Sequence, residues 1–391
     1  MSTARETVLL WLGGFALRAP LLAVPPLLPV IIRQLGLSHT AVGLLTGFPV
    51  LLFAGAAVIG SLLIARLGVR RALFISLVLT AAGGAVRGLG GSLPVLFGMT
   101  IVMGVGIALA QPTMVALCAR ALHLGAARAT GVYSNGMLVA EVVAVAATGP
   151  IALALGGWGG GLAIWSLPVA AAAALVLLWG PAEAARPVRA AWLPDWKSRD
   201  TWRVGLILGC SSAMYQVSNA FIPTYLTATG RLGLVAPALT SLNLIQVFGS
   251  LAIAAMPGLV GRSRPIAVAG GLTLTFLVLM VTVPSGPLVV AAAGLLGCAA
   301  SAIFVLSLAL PHTLVPPDQV PRLSAGMFTI SYACGFAGLL LGGQLGDRLG
   351  APAAPLLPVA LACILAVSLS SGIRRTSDAA SRQVAVAGSP S

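Results

Sequence analysis

Charged residues are almost absent from the interiors of a series of long apolar runs, and that spacing limits the fold more than any other feature of the chain. The runs lie near 8–32, 41–64, 72–92, 94–119, 129–154 and 160–180, and then near 203–228, 237–260, 265–284, 287–311, 323–345 and 353–373. Each has about the 20 residues that a helix needs to cross a bilayer core of about 30 Å. Backbone surrounded by lipid must satisfy its own hydrogen bonds, so runs of this kind are helices rather than isolated strands. Only 8% of residues are charged, against about 25% in a soluble domain, and the mean hydropathy is +1.04. The start, MSTARETVLLWLGGFALRAP, runs on apolar past residue 30 without a small-residue cleavage site, and reads as the first span rather than a signal peptide.

A net charge of +14 would point to nucleic acid in a soluble protein. Here the basic residues sit at the ends of the apolar runs. With the N-terminus inside, Arg5, Arg66, Arg70, Arg71, Arg120, Arg128, Arg186, Arg189, Lys197, Arg199, Arg203, Arg262, Arg264, Arg322, Arg374, Arg375 and Arg382 share one side, and only Arg33, Arg231 and Arg348 fall opposite. This asymmetry follows the positive-inside rule, which predicts cytoplasmic termini and a lipid partner instead of nucleic acid. The cysteines, Cys118, Cys210, Cys298, Cys334 and Cys363, lie inside apolar runs without metal spacing and read as reduced packing residues.

The longest polar stretch, 181–202, mixes both charge signs with prolines and reads as a linker between two six-helix bundles at 1–180 and 203–375, with a small polar tail, 376–391, expected to be disordered. An internal echo supports the division. QLGLSHTAVGLL at 34–45 returns as RLGLVAPALTSL at 231–242, and GVYS at 131–134 as GMFT at 326–329, both at offsets close to half the chain. Offsets of that size indicate parallel six-helix repeats about an axis along the membrane normal. The fold expected is an all-α polytopic membrane protein of twelve helices.

Several motifs resemble those of major facilitator transporters. GSLLIARLGVRR at 60–71 resembles the loop in which Gly, Asp-Arg, Gly and Arg-Arg cap adjacent helices. Ala65 stands where that pattern has Asp, while Arg66, Gly68, Arg70 and Arg71 match its gating positions. GPIALALGGWGG at 149–160 and GGQLGDRLG at 342–350 look like the ends of the fifth and eleventh helices. More narrowly, LRAPLLAVPPLLPVI at 17–31, LLTGFPVL at 44–51, AVRGL at 85–89, GVGIALAQP at 104–112 and FIPTYL at 221–226 resemble the cyanate permease and 2-nitroimidazole transporter family. The resemblance implies a secondary carrier for a small polar or anionic solute. An acidic residue in the fifth span departs from its pattern.

The polar residues inside the runs are the functional candidates. Arg18 lies near the middle of the first span, where a guanidinium costs at least about 2.5 kcal/mol and needs compensation. Its planar fork suits a carboxylate, nitro or cyanate group; a structural ion pair is the alternative. Glu141 lies at nearly the same depth, about midway along the fifth span. A buried carboxylate without a partner takes up a proton, so Glu141 is either a proton-coupling site, with substrate competing for Arg18, or the static half of a bridge. Arg87, near the outer end of the third span, is expected to snorkel toward the headgroups. Pro20, Pro25, Pro26 and Pro29 predict a bend beside Arg18. Tyr215 and Asn219 are four residues apart and share a helix face; in a parallel repeat that face opposes Arg18, which makes both candidates for substrate contact. Gln111, Asn243 and Tyr332 are further candidates; with Tyr133, Asn135 and Gln246 they are equally suited to interhelical hydrogen bonds. Gly98, Gly104 and Gly106 read as close-packing positions.

An ATP-driven pump lacks its P-loop, the lone lysine Lys197 having no glycines around it. An enzyme is disfavoured because His39, His123 and His312 sit at span ends and no HExxH or paired carboxylates lie in a span. A sensor that kept the carrier fold would be separated from a carrier by flux measurements. The expectation is a monomeric secondary transporter without cofactor or metal, taking a small-molecule substrate and, where Glu141 is a coupling site rather than a static partner of Arg18, protons. Nitrate, nitrite or small carboxylate transport and drug efflux are the alternatives.

Overall fold

The computed structural model describes residues 3–89, 91–118, 123–180, 196–315 and 319–371. Arg120, Arg186, Arg189, Arg374, Arg375, Arg382, most of the 181–202 linker and the 376–391 tail lie outside the described residues. Among the described residues every regular element is helical.

The first run is not one helix. α1 (Thr3–Leu22) ends where the prolines begin, a 3₁₀ turn covers Pro25–Leu27, and α2 (Leu28–Leu35) resumes the course. Proline lacks the N–H that would continue the ladder. Within the break the Val24 N–H donates to Leu21 O at 3.4 Å and the Leu27 N–H to Val24 O at 3.0 Å, the tighter i to i−3 pattern. The Pro20 carbonyl is thereby released from its ordinary i+4 donor.

The two predicted spans are two helices, together labelled α3 (His39–Leu89), that meet at a sharp kink at Gly68, φ 76° and ψ 167°. A left-handed φ is tolerated by a residue without Cβ, so one glycine turns the chain back and the expected gating loop is mostly helical. Arg70 donates from Nη2 to Leu177 O near the end of a later helix, while Arg66 and Arg71 are exposed. α4 (Leu93–Cys118) and α5 (Ala126–Ala154) follow; the sixth run is split into α6 (Trp158–Ala163) and α7 (Ser166–Trp179). After the linker come α8 (Arg199–Ala228), α9 (Val235–Ala254), α10 (Ser263–Thr282), α11 (Gly286–Ala309), the short α12 (Pro311–Leu314), α13 (Val320–Leu349) and α14 (Leu357–Ser370).

Among the described residues nine helices are long and apolar enough to cross a membrane; the shorter apolar stretches His39–Gly55 and Ala354–Ser370 and the 30-residue α8 fill the remaining places of a twelve-helix arrangement. The echoed segments occupy matching positions. 34–45 and 231–242 lead into the second helix of each set of six, and GVYS and GMFT lie in α5 and α13, the fifth of each.

Two close approaches fix the register of the inner helices. A Cβ on Gly14 would stand 2.1 Å from Tyr133 O, and one on Gly136 would stand 2.1 Å from Trp11 O. Only glycine lets α1 and α5 touch backbone to backbone here. Gly106 does the same for α3 and α4, where a Cβ would meet Thr80 N at 2.6 Å, and Gly104 abuts Pro49 and Leu52. Gly98 corrects the expectation, since nothing lies within 4 Å of its would-be Cβ.

The first and second sets of six also meet directly. At the end of α13, Asp347 caps the start of α3: Oδ1 accepts from the His39 N–H and Oδ2 from the Thr40 N–H, both at 2.8 Å, with His39 Nδ1 3.1 Å from Oδ1. A carboxylate there satisfies orphan amides and sits on the positive end of the helix dipole. Asp347, like Glu6 in the first turn of α1, lies in a helix that extends a few residues beyond the predicted run, at its end rather than its middle.

Candidate substrate-binding site

The α1–α5 contact carries its two charged residues into a pair. Arg18 is one turn beyond Gly14 and Glu141 one turn beyond Met137, the α5 residue against Gly14. The result is an Arg18 Nε to Glu141 Oε1 distance of 3.3 Å, with side chains 19% and 8% exposed.

A chain of hydrogen bonds leads from this pair into the second set of helices. Gln246 Nε2 on α9 donates to Glu141 Oε2 at 2.9 Å and approaches Asn243 Oδ1 at 3.4 Å. Tyr215 O–H donates to the same Asn243 oxygen at 3.0 Å. Asn243 Nδ2 donates to Asn219 Oδ1 at 2.9 Å, and Asn219 Nδ2 to the Tyr215 carbonyl at 3.0 Å. Asn243 is fully buried, Asn219 and Gln246 nearly so. Amides at this depth require such partners, because each unpaired one costs on the order of 1–3 kcal/mol. Glu141 and Arg18 thus form the charged end of a neutral relay.

Beside the pair lies a cavity of about 40 Å³, room for about three waters at roughly 10–15 Å³ each. Its polar lining is Arg18, Arg87, Thr46, Thr100, Gln216 and Asn219. Arg87 is the main correction to the sequence reading. Its side chain does not snorkel; it is 0% exposed, and Nη2 donates to Pro20 O at 2.5 Å, the carbonyl freed by the break after α1. Position along a helix gives depth but not direction, and Arg87 faces inward.

Of the remaining candidates, Asn219 lines the cavity, while Tyr215 and Asn243 hold the relay behind it. Tyr332 stacks near Phe328 and meets Phe53 edge-on at 5.3 Å between ring centres. Gln111 is eleven residues along α4 from Thr100 and does not line the cavity. Asn135 takes the hydrogen-bond alternative, accepting from Trp11 Nε1 at 2.9 Å. Thr46, Thr100 and Gln216 complete the polar lining, and nothing in the sequence marks them as site residues beyond their being polar within apolar runs.

Helices of membrane-spanning length around a central cavity with buried charges define a polytopic helical carrier. A family model for the Major Facilitator Superfamily matches residues 10–262. The chain belongs to that superfamily, whose members here are transporters rather than enzymes. It is 34% identical over 221 residues to the 2-nitroimidazole transporter of Escherichia coli (strain K12), covering 55% of each chain. It is 28% identical over 257 residues to the cyanate transport protein CynX of the same organism, covering 64% of this chain and 66% of that one. The matched region therefore spans between about half and two thirds of these curated relatives. Among solved structures it is similar to nucleoside transporter NupG, with a TM-score of 0.73 and 11% identity over 95% of this chain and 97% of that one. It is also similar to a D-xylose-proton symporter, with a TM-score of 0.73 and 14% identity over 95% and 98%. At these identities the solved structures speak to the fold alone.

Proposed function

We propose that the chain is a secondary active transporter that moves a small polar or anionic solute, of cyanate or nitroimidazole character, by alternating access. The observation that carries this is the buried Arg18–Glu141 pair, which lies beside the cavity and is joined to the second set of helices through Gln246. The names of the curated relatives support the solute class. A cavity of about 40 Å³ favours a small ion, nitrate, nitrite and small carboxylates included, over a bulky drug.

In this reading Glu141 is the proton-coupling group. Ionised, it pairs with Arg18; protonated, it leaves the guanidinium free for substrate, so proton and solute movement are linked. The protein acts as a monomer in the cell inner membrane with both termini cytoplasmic, and its six-helix bundles, 1–180 and 203–375, are joined by the 181–202 linker. Arg66, Gly68, Arg70 and Arg71 form the gating turn at the cytoplasmic end.

The test is uptake of labelled cyanate and 2-nitroimidazole into proteoliposomes with and without an imposed pH gradient. Wild type is expected to accumulate one of them in response to the gradient, and Glu141→Gln to exchange it without accumulation. Gradient-driven accumulation by Glu141→Gln would remove Glu141 from coupling, and binding without flux in the wild type would favour a sensor.

A further inference from the structure

The cavity holds more positive charge than its protein groups neutralise. Arg18 and Glu141 form one pair. Arg87 is fully buried, and among the described residues it pairs with no carboxylate. A guanidinium stays charged in proteins and has five N–H donors in a fixed plane. Arg87 has a carbonyl for Nη2, whereas Nε and Nη1 are buried without a hydrogen-bond partner. Thr100, on the same cavity wall, also has a buried hydroxyl without a partner.

Such groups are costly in a dry interior unless something else meets them. The Pro20 carbonyl anchors one corner of the guanidinium plane and fixes its orientation, leaving the other donors for a ligand. From these unmet donors, the single excess positive charge and the small volume, we propose that Arg87, assisted by Thr100, is the anion-recognition site of the cavity and takes a small monovalent anion. This inference rests on the cavity being the substrate site, and it divides the roles of the arginines. Arg87 recognises charge through a planar fork, which accepts two oxygens or one compact ion. Arg18, already facing Glu141, is the member whose availability changes during transport. Nitrate, cyanate, formate and chloride fit the charge and the space; a dianion leaves excess negative charge, and a cation meets two guanidiniums.

The experiment is binding of sodium nitrate, cyanate, formate and chloride to the purified full-length chain, by calorimetry and thermal shift in a gluconate buffer of constant ionic strength. Wild type is expected to bind at least one of the four saturably. Arg87→Met should weaken that anion roughly tenfold or more, since it removes a charged bidentate donor. Arg87→Lys keeps the charge but loses the fork and should also weaken it. Thr100→Val should weaken it by a smaller factor while preserving volume. Absence of saturable binding by all four in the wild type would overturn the proposal, as would wild-type affinity in Arg87→Met. If Arg87→Met does not fold, wild-type affinity in Arg87→Lys is the overturning result. Flux in proteoliposomes separates the proposals: Arg87-dependent binding without flux keeps this site and refutes the carrier, and flux with Arg87-independent binding does the reverse.

Discussion

Removing one member of the Arg18–Glu141 pair should cost more than removing both. The closest atoms are 3.3 Å apart in a site where neither side chain is more than one fifth exposed. Delocalised unit charges about 4 Å apart attract by about 4 kcal/mol at an effective dielectric of about 20. Breaking a buried pair from one side typically costs about 3–5 kcal/mol, because the surviving charge is left in the interior. Glu141→Gln preserves the shape and an oxygen for Gln246 but leaves Arg18 without its counter-charge; Arg18→Gln does the converse. The double variant leaves neither charge. In a double-mutant cycle read from unfolding in mixed micelles, each single variant should lose about 3 kcal/mol and the double less than either. Millimolar nitrate or cyanate should restore part of the Glu141→Gln loss, by supplying the missing negative charge. A coupling energy below about 1 kcal/mol would show that the pair is no stronger than an exposed surface bridge and would refute the reasoning.

Gly14→Ala and Gly136→Ala place a methyl about 2.1 Å from a backbone carbonyl of the facing helix. Each should destabilise the protein by about 1–3 kcal/mol in the same unfolding assay, and an unchanged unfolding free energy would show that the α1–α5 contact is not that close. Asp347→Asn removes the charged cap of α3, worth about 0.5–2 kcal/mol at a helix start. Labelling of Thr46→Cys from the outer face, scored against the unsubstituted background of native cysteines, should therefore become faster in Asp347→Asn, and an unchanged rate would show that Asp347 does not hold that end closed. Asn243→Ala removes the acceptor for Tyr215 and the donor for Asn219, and should cost about 1–3 kcal/mol while slowing transport more than it lowers anion affinity.

Much of this arrangement was legible because one-dimensional facts decide it. Span length and charge position gave the helices, the prolines gave the break in the first run, and counting residues from the membrane edge put Arg18 and Glu141 at one level. What stayed hidden depends on rotation about the helix axis and on contacts distant in sequence. Arg87 has the ordinary position of a snorkelling side chain, and its acceptor, Pro20 O, is available only because α1 loosens in three dimensions. Gly68 looked like part of a loop because the positive residues around it mark a cytoplasmic edge, which a single left-handed residue is enough to turn. The sharing of one cavity wall by Thr46, Thr100 and Gln216 follows from the packing of α3, α4 and α8, which no local pattern records.

Among the described residues the guanidinium and carboxyl groups beside the cavity all come from one side of the molecule. Arg18, Arg87 and Glu141 stand on α1, α3 and α5, whereas α8 and α9 contribute a phenol and amides: Tyr215, Gln216, Asn219, Asn243 and Gln246. Rocking of the second six helices against the first therefore separates no opposite charges at the centre. At the centre it must release the Gln246 amide on Glu141, a hydrogen bond to a charged group worth about 1.5–3 kcal/mol; at the end of α13 it must release the Asp347 cap on α3. In the proposed cycle a bound anion rides with the first six helices as ballast, and the second six act as an uncharged shutter whose stroke leaves the central electrostatics intact.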